Sequence, residues 1–232
     1  MFCCGTTGPI LPAPTVASPP GATSYLFGGG AQDGFVARLN QSRKLDWTTC
    51  IGGTGYDWAW ALDVAAGKVA VVGGSDLGST VQTIPTDDGS IPYFPSTVYQ
   101  QDFFTQEFTP GGHHVWGSYF GYNGGTALSA NGWKGLAVDP TNGDIVVVGH
   151  LVNVNTMPIT TNWPWYDDSF TNAEDGFIFR YDGSTKGVKY ASLVSGIGGL
   201  TALQAIVIGS DGKQYICGTT DETGLEIQPS GD

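Results

Sequence analysis

Charge is scarce in this chain. Charged residues make up 13% of its 232 positions, and only 9 are Lys or Arg against 21 Asp or Glu, for a formal net charge of -12. Gripping a phosphate backbone needs clustered Lys and Arg, so this balance excludes an electrostatic nucleic-acid binder. No apolar run reaches the length of a membrane-spanning helix, so no transmembrane segment is encoded. Sustained helical periodicity with caps is also missing. The opening Met1-Phe2-Cys3-Cys4-Gly5-Thr6-Thr7-Gly8 lacks the basic start and apolar stretch of a secretory signal. No Gly-x-Ser-x-Gly elbow, His-Glu-x-x-His pair or phosphate loop occurs. The four cysteines, Cys3, Cys4, Cys50 and Cys217, match no zinc spacing. Buried free thiols are the expectation, and the sequence assigns no disulfide pairing.

Glycine, by contrast, is abundant. There are 36, without a collagen period, alongside 41% apolar and 12% aromatic residues. That composition supports a sizeable core and excludes an acidic disordered chain. It points to a turn-rich β protein.

The glycines recur in register. A β run ending in Gly appears as Lys68-Val69-Ala70-Val71-Val72-Gly73, Asp144-Ile145-Val146-Val147-Val148-Gly149 and Gln214-Tyr215-Ile216-Cys217-Gly218. The opening Phe2-Cys3-Cys4-Gly5-Thr6-Thr7 matches Tyr215-Ile216-Cys217-Gly218-Thr219-Thr220. Gly5, Gly73, Gly149 and Gly218 are therefore 68, 76 and 69 residues apart. Asp33-Gly34-Phe35, Asp102-Phe103-Phe104 and Asp175-Gly176-Phe177 keep the same step, each opening a β run at 35–40, 103–109 and 177–181. Further runs follow at 44–53, 113–122 and 188–196, with Trp47, Trp116 and Tyr190 equivalent. Short apolar segments at 61–65, 135–139 and 205–209 precede the Gly-ending runs. Each repeat thus reads as four short strands, a to d. The a–b turns are Ala66-Gly67, Pro140-Thr141-Asn142-Gly143 and Ser210-Asp211-Gly212, strong hairpin signals because Asn, Asp and Gly accept positive φ cheaply. Repeating four-stranded antiparallel units predict an all-β fold, a β-propeller arc of about three four-stranded blades, part of a larger or oligomeric ring.

The first repeat resembles a known family. Gly52-Gly53-Thr54-Gly55-Tyr56-Asp57, with Ala59 and Ala61 after it, leads into strands a and b. Asp33-Gly34-Phe35-Val36-Ala37-Arg38-Leu39-Asn40 is followed by Leu45-Asp46-Trp47-Thr48-Thr49. Ile84-Pro85-Thr86 and Met157-Pro158-Ile159-Thr160-Thr161 complete a pattern similar to the bacterial SBBP-type β-propeller repeat, distantly NHL-like. The later repeats fit more loosely, with Phe103 in place of the turn Gly and no Gly-Tyr-Asp element in the third. The resemblance implies a propeller fold and a secreted or cell-surface setting. It carries no catalytic residues and no cofactor.

By repeat, residues 1–53 supply strands b, c and d, 54–122 and 123–196 supply full sets, and 197–232 supply a and b. That is fewer blades than a ring closed by four to eight. Three explanations are open: a fragment of a longer propeller, a ring shared between copies, or packing against other subunits. An incomplete N-terminus would also account for the missing signal. The expected role is a non-enzymatic scaffold or protein-interaction module, with a lectin-like or enzymatic propeller as the alternative.

The long b–c loops carry the candidates for that alternative. Tyr93, Phe94, Tyr99, Trp163, Trp165 and Tyr166 offer aromatic planes suited to a protein or sugar partner. The acidic pairs Asp87-Asp88 and Asp167-Asp168, with Asp221-Glu222 at a similar place, are the weak calcium candidates, since calcium takes several loop oxygens. Solvated loop acids and a local aromatic core are the plainer readings. Asp63 and Asp139 are the main acids at the a strands, Asp139 as a turn residue. His113 and His114 point to opposite faces of one strand, and with His150 are expected to be solvated or hydrogen-bonded.

Overall fold

The computed structural model describes residues 1–8, 31–76, 102–120, 135–152, 174–194 and 199–221. Among them there is no helix, and 13 strands form four open antiparallel sheets. Sheet 1 is β1 (Phe2–Thr7), β2 (Asp33–Leu39) and β3 (Leu45–Ile51). Sheet 2 is β4 (Tyr56–Ala65), β5 (Lys68–Asp76), β6 (Asp102–Phe108) and β7 (His114–Phe120). Sheet 3 is β8 (Gly135–Val138), β9 (Ile145–Val152), β10 (Glu174–Tyr181) and β11 (Val188–Val194). Sheet 4 is β12 (Thr201–Ile208) and β13 (Gln214–Thr220). In every sheet, strands adjacent in sequence are adjacent in space. The chain divides into two compact units, 1–125 with sheets 1 and 2, and 126–232 with sheets 3 and 4.

Two strands start earlier than their apolar runs predict. β4 begins at Tyr56 and β12 at Thr201, several residues before the segments at 61–65 and 205–209. Each carries a bulge, between Ala59 and Ala61 and between Leu203 and Ala205. An extra residue flips the side-chain parity, so the alternation before the bulge no longer matches that after it.

The recurring glycine has a packing reason. Register places Gly5 opposite Phe35, Gly73 opposite Phe104 and Gly149 opposite Phe177. A Cβ on Gly5 would lie 3.0 Å from the Phe35 ring, and one on Gly73 would collide with the Phe104 ring and the Trp58 carbonyl. Without a side chain, the b strand lets the c-strand ring lie flat across it and the bulged a-strand backbone come close.

The tight turns behave as their residues demand. Gly67, Gly143 and Gly212 have φ of 73°, 76° and 80°. Three residues hold this left-handed region without being Gly, Asn or Asp: Arg43 at φ 59°, Ala66 at φ 49° and Lys186 at φ 62°. Ala66→Asn is expected to stabilise the protein by about 0.5–1 kcal/mol, because Asn tolerates the left-handed region that Ala resists. A urea midpoint that fails to rise would show that the left-handed conformation at Ala66 carries no cost.

Candidate functional site

The repeats define two equivalent faces on each sheet. Call forward the face that carries Phe2 and Cys4 on β1, and rear the face that carries Cys3 and Gly5. In unit 1, forward residues Phe2, Cys4, Val36 and Trp47 of sheet 1 share one core with rear residues Leu62, Val69, Val71 and Phe104 of sheet 2. Trp47 is fully buried there, against Phe2 at 6.1 Å and Phe108 at 6.5 Å between ring centroids, and its Nε1 donates to the Pro110 carbonyl at 3.2 Å. In unit 2, forward residues Ala137, Val146, Val148 and Ile178 of sheet 3 share a core with rear residues Leu203, Ile206, Ile208 and Ile216 of sheet 4. The same stacking of forward on rear therefore occurs in each unit.

Sheet 4 breaks the rule. Counting from Gly218 as from Gly5, Tyr215 corresponds to Phe2 and Cys217 to Cys4. Register adds Val207 opposite Tyr215 and Ala205 opposite Cys217. All four are exposed, Val207 by 62% and Tyr215 by 59%. Among the described residues β13 pairs with β12 alone, whereas its equivalents β5 and β9 each have two neighbours. Among the described residues this leaves an apolar face and one strand edge of sheet 4 without a neighbour.

The junction between sheets 1 and 2 holds buried acid. Asp33 and Asp57 are both fully buried, and a Cβ on Gly52 would lie 2.8 Å from each carboxylate, so only glycine threads between them. Asp57 accepts from the Gly53 N–H at 2.9 Å, and its own N–H donates to the Gln32 carbonyl at 2.9 Å. Burial, helped by Asp33, pushes the Cys50 thiol up to about 11. Burial, then Cys3, does the same to Cys4, also to about 11. Both thiols stay protonated at neutral pH and are poor nucleophiles. The corresponding place in unit 2 has Asp175 fully buried and a Thr201–Thr220 hydroxyl pair at 2.9 Å. These groups fasten the chain where it passes from one sheet to the next.

The turn end of sheet 3 carries an ion cluster. Arg180 donates through Nη2 to Asp139 at 2.9 Å and through Nε to Asp144 at 2.7 Å, and Lys189 reaches Asp144 at 3.0 Å. Asp144 also accepts from the Gly183 N–H at 2.8 Å, and Asp139 from the Thr141 N–H and hydroxyl at 2.9 and 2.6 Å. Burial raises both carboxyl groups, but these donors and the guanidinium outweigh it and hold both below the ordinary value of 3.8. Asp182 is held far lower by the N–H groups of Thr185 and Ser184 and the Ser184 hydroxyl. The cluster ties the a–b turn to the c–d turn. Asp139 thus keeps its role in the turn and gains one in the ion pair.

Sequence reasoning missed an aromatic row on β4. Tyr56 and Trp58 stack at 6.2 Å, Trp58 and Trp60 at 6.5 Å with planes 7° apart, and Trp60 meets Phe103 edge-on at 5.6 Å. The spacing Tyr-x-Trp-x-Trp was the available signal.

Other expectations fall out individually. His114, the first residue of β7, is buried with Nε2 on the Gln106 amide oxygen, and His113, just before the strand rather than on it, is exposed. His150 is buried. Asp63 accepts from the Val64 N–H at 2.7 Å, and Asp221 from the Leu200 N–H at 2.6 Å, closing the open end of the β12–β13 hairpin. The four cysteines are free, but only Cys50 is fully buried; Cys3 and Cys4 are half-buried and Cys217 is exposed, on a face that no other described sheet covers. Tyr93, Phe94, Tyr99, Trp163, Trp165 and Tyr166, and the acids Asp87, Asp88, Asp167 and Asp168, lie outside the described residues. Among the described residues no group of three or more His, Cys, Asp or Glu is placed to hold a metal ion, and no helix is long and apolar enough to cross a membrane.

No protein-family model matches the chain, and no curated protein matches it.

Proposed function

We propose that this chain is an arc of a β-propeller and works as a non-enzymatic structural and interaction module of a secreted, cell-surface or multi-subunit assembly. The observation that carries this reading is the stacking of forward face on rear face, found once in each unit with equivalent residues. Sheets that bury their faces only against the next copy of themselves are the physical basis of propellers. The uncovered face of sheet 4 gives such an arc a place to continue. The resemblance to SBBP-type repeats supports the same fold and the extracellular setting. The partner is protein: the rest of a longer propeller chain, further copies, or other subunits.

The test is electron microscopy of the native particle, isolated through a tag on this chain. A disc with a central channel and four to eight blades is expected. A particle without a channel, or a stable 24.3 kDa monomer, overturns the reading.

A further inference from the structure

We propose that Asn142 is a latent deamidation site, held shut by the ion cluster at the turn end of sheet 3. The a–b turns at Ala66-Gly67 and Ser210-Asp211-Gly212 carry no side-chain amide, whereas Pro140-Thr141-Asn142-Gly143 places Asn directly before its glycine. That pair is prone to lose ammonia, because glycine puts no side chain in the way of ring closure. The Gly143 nitrogen bonds to the Asn142 Cγ, the side-chain nitrogen leaves as ammonia with the displaced proton, and a five-membered imide remains. Water then opens the imide at either carbonyl, giving aspartate or isoaspartate at position 142. One water is consumed and one ammonia released, so solvent is the only co-reactant.

Asn142 is exposed, so access of water does not limit the step. The turn does. The Gly143 N–H, which must give up its proton to attack, donates to the Asp139 carbonyl at 2.8 Å. The Asn142 Oδ1 accepts from the Asp144 N–H at 2.8 Å, which fixes the amide. Gly183 of the c–d turn lies against the same backbone, since a Cβ there would come 2.5 Å from the Gly143 carbonyl and 2.7 Å from the Asn142 carbonyl oxygen. The cluster holds the two turns together. Asp139 and Asp144 flank the Asn-Gly pair and share Arg180, Asp144 accepts from the Gly183 N–H at 2.8 Å, and Lys189 reaches Asp144 at 3.0 Å. Ring closure therefore waits for the turn to open, and its rate is that of an unfolded chain multiplied by the open fraction.

The products do not restore the turn. Isoaspartate lengthens the backbone by one carbon before Gly143, which loses its register with the Asp139 carbonyl. Either product adds a carboxylate two residues from Asp144 and three from Asp139, beside the same Arg180. Conversion is thus one-way, and it loosens the cluster that delayed it.

The test is peptide mass spectrometry of the full chain after incubation at neutral pH, folded or unfolded in urea. Conversion at position 142 is read by mass, and the aspartyl and isoaspartyl peptides by their separate elution. The folded wild type should convert at least about tenfold more slowly than the unfolded chain. Arg180→Met should speed conversion in the folded protein, and Lys189→Met should do so less, with neither changing the rate in urea. Circular dichroism shows which variants are folded, and Lys189→Met carries the test where Arg180→Met is not. Gly73→Ala, which destabilises unit 1 instead, should leave the folded rate at Asn142 as in wild type. Equal rates in folded and unfolded wild type, no conversion in urea, or unchanged rates in the folded cluster variants each overturn the proposal. So does a Gly73→Ala rate raised as much as that of the cluster variants, since unfolding of the whole chain would then set the rate.

Discussion

Gly73→Ala is expected to destabilise the protein by about 3 kcal/mol or more, the cost of overpacking a core whose neighbours cannot yield. A Cβ at this position would strike the Phe104 ring on one side and the Trp58 carbonyl on the other. The ring could turn at some cost. The carbonyl belongs to the bulged part of β4 and moves only with the strand. Gly73 also borders the buried core shared by sheets 1 and 2, so a shift there spreads into Val71 and Leu62. Gly111→Ala is the control, since its Cβ would find only the Thr109 hydroxyl at 3.7 Å, and its effect should stay within about 0.5 kcal/mol. Phe104→Leu added to Gly73→Ala should recover part of the loss by removing the ring but not the carbonyl. Urea unfolding with sheet-sensitive circular dichroism measures all three. A Gly73→Ala midpoint equal to that of wild type would show that the close approach does not constrain the repeat.

Arg180→Met should cost unit 2 roughly 3 kcal/mol, because it leaves Asp139 and Asp144 buried without their shared cation. Lys189 still reaches Asp144, which keeps the loss from being larger. The same cluster sets an acid limit. The folded pKa values of Asp139 and Asp144 lie below the ordinary 3.8, so below that pH the unfolded state binds more protons than the folded one. Their contribution is fully present above about pH 4 and drains away as pH falls through the folded values. Asp139→Asn with Asp144→Asn should lower stability at neutral pH and flatten its decline between about pH 4 and pH 2. Thermal unfolding across that range measures the slope. An acid limb of unchanged steepness in the double variant would place the acid sensitivity elsewhere.

Much of this architecture was legible from residue pattern. The apolar runs ending at Gly5, Gly73, Gly149 and Gly218 mark β1, β5, β9 and β13, and the turn residues mark the hairpins between a and b strands. Period-two side chains and positive-φ turns are local signals, readable without knowing what packs on what. The starts of β4 and β12 were not readable, because a bulge breaks the alternation. The ion cluster was hidden for another reason. Asp139, Asp144, Arg180 and Lys189 come from separate hairpins, and only the pairing of β8, β9, β10 and β11 brings them together.

The uncovered face of sheet 4 shows the same division. Tyr215-Ile216-Cys217 looks in sequence like Val146-Val147-Val148, an apolar strand destined for burial on both faces. Local preference made it a strand. Burial depends on neighbours, and among the described residues β13 has one strand beside it and a sheet on one side only. The sequence alone determined the repeat, the strands, the turns and the scarcity of positive charge, because these are properties of short segments and composition. Only the tertiary structure decided which faces are covered, why the recurring residue must be glycine, and where Tyr215 and Val207 meet solvent, because those follow from contacts between segments far apart in the chain.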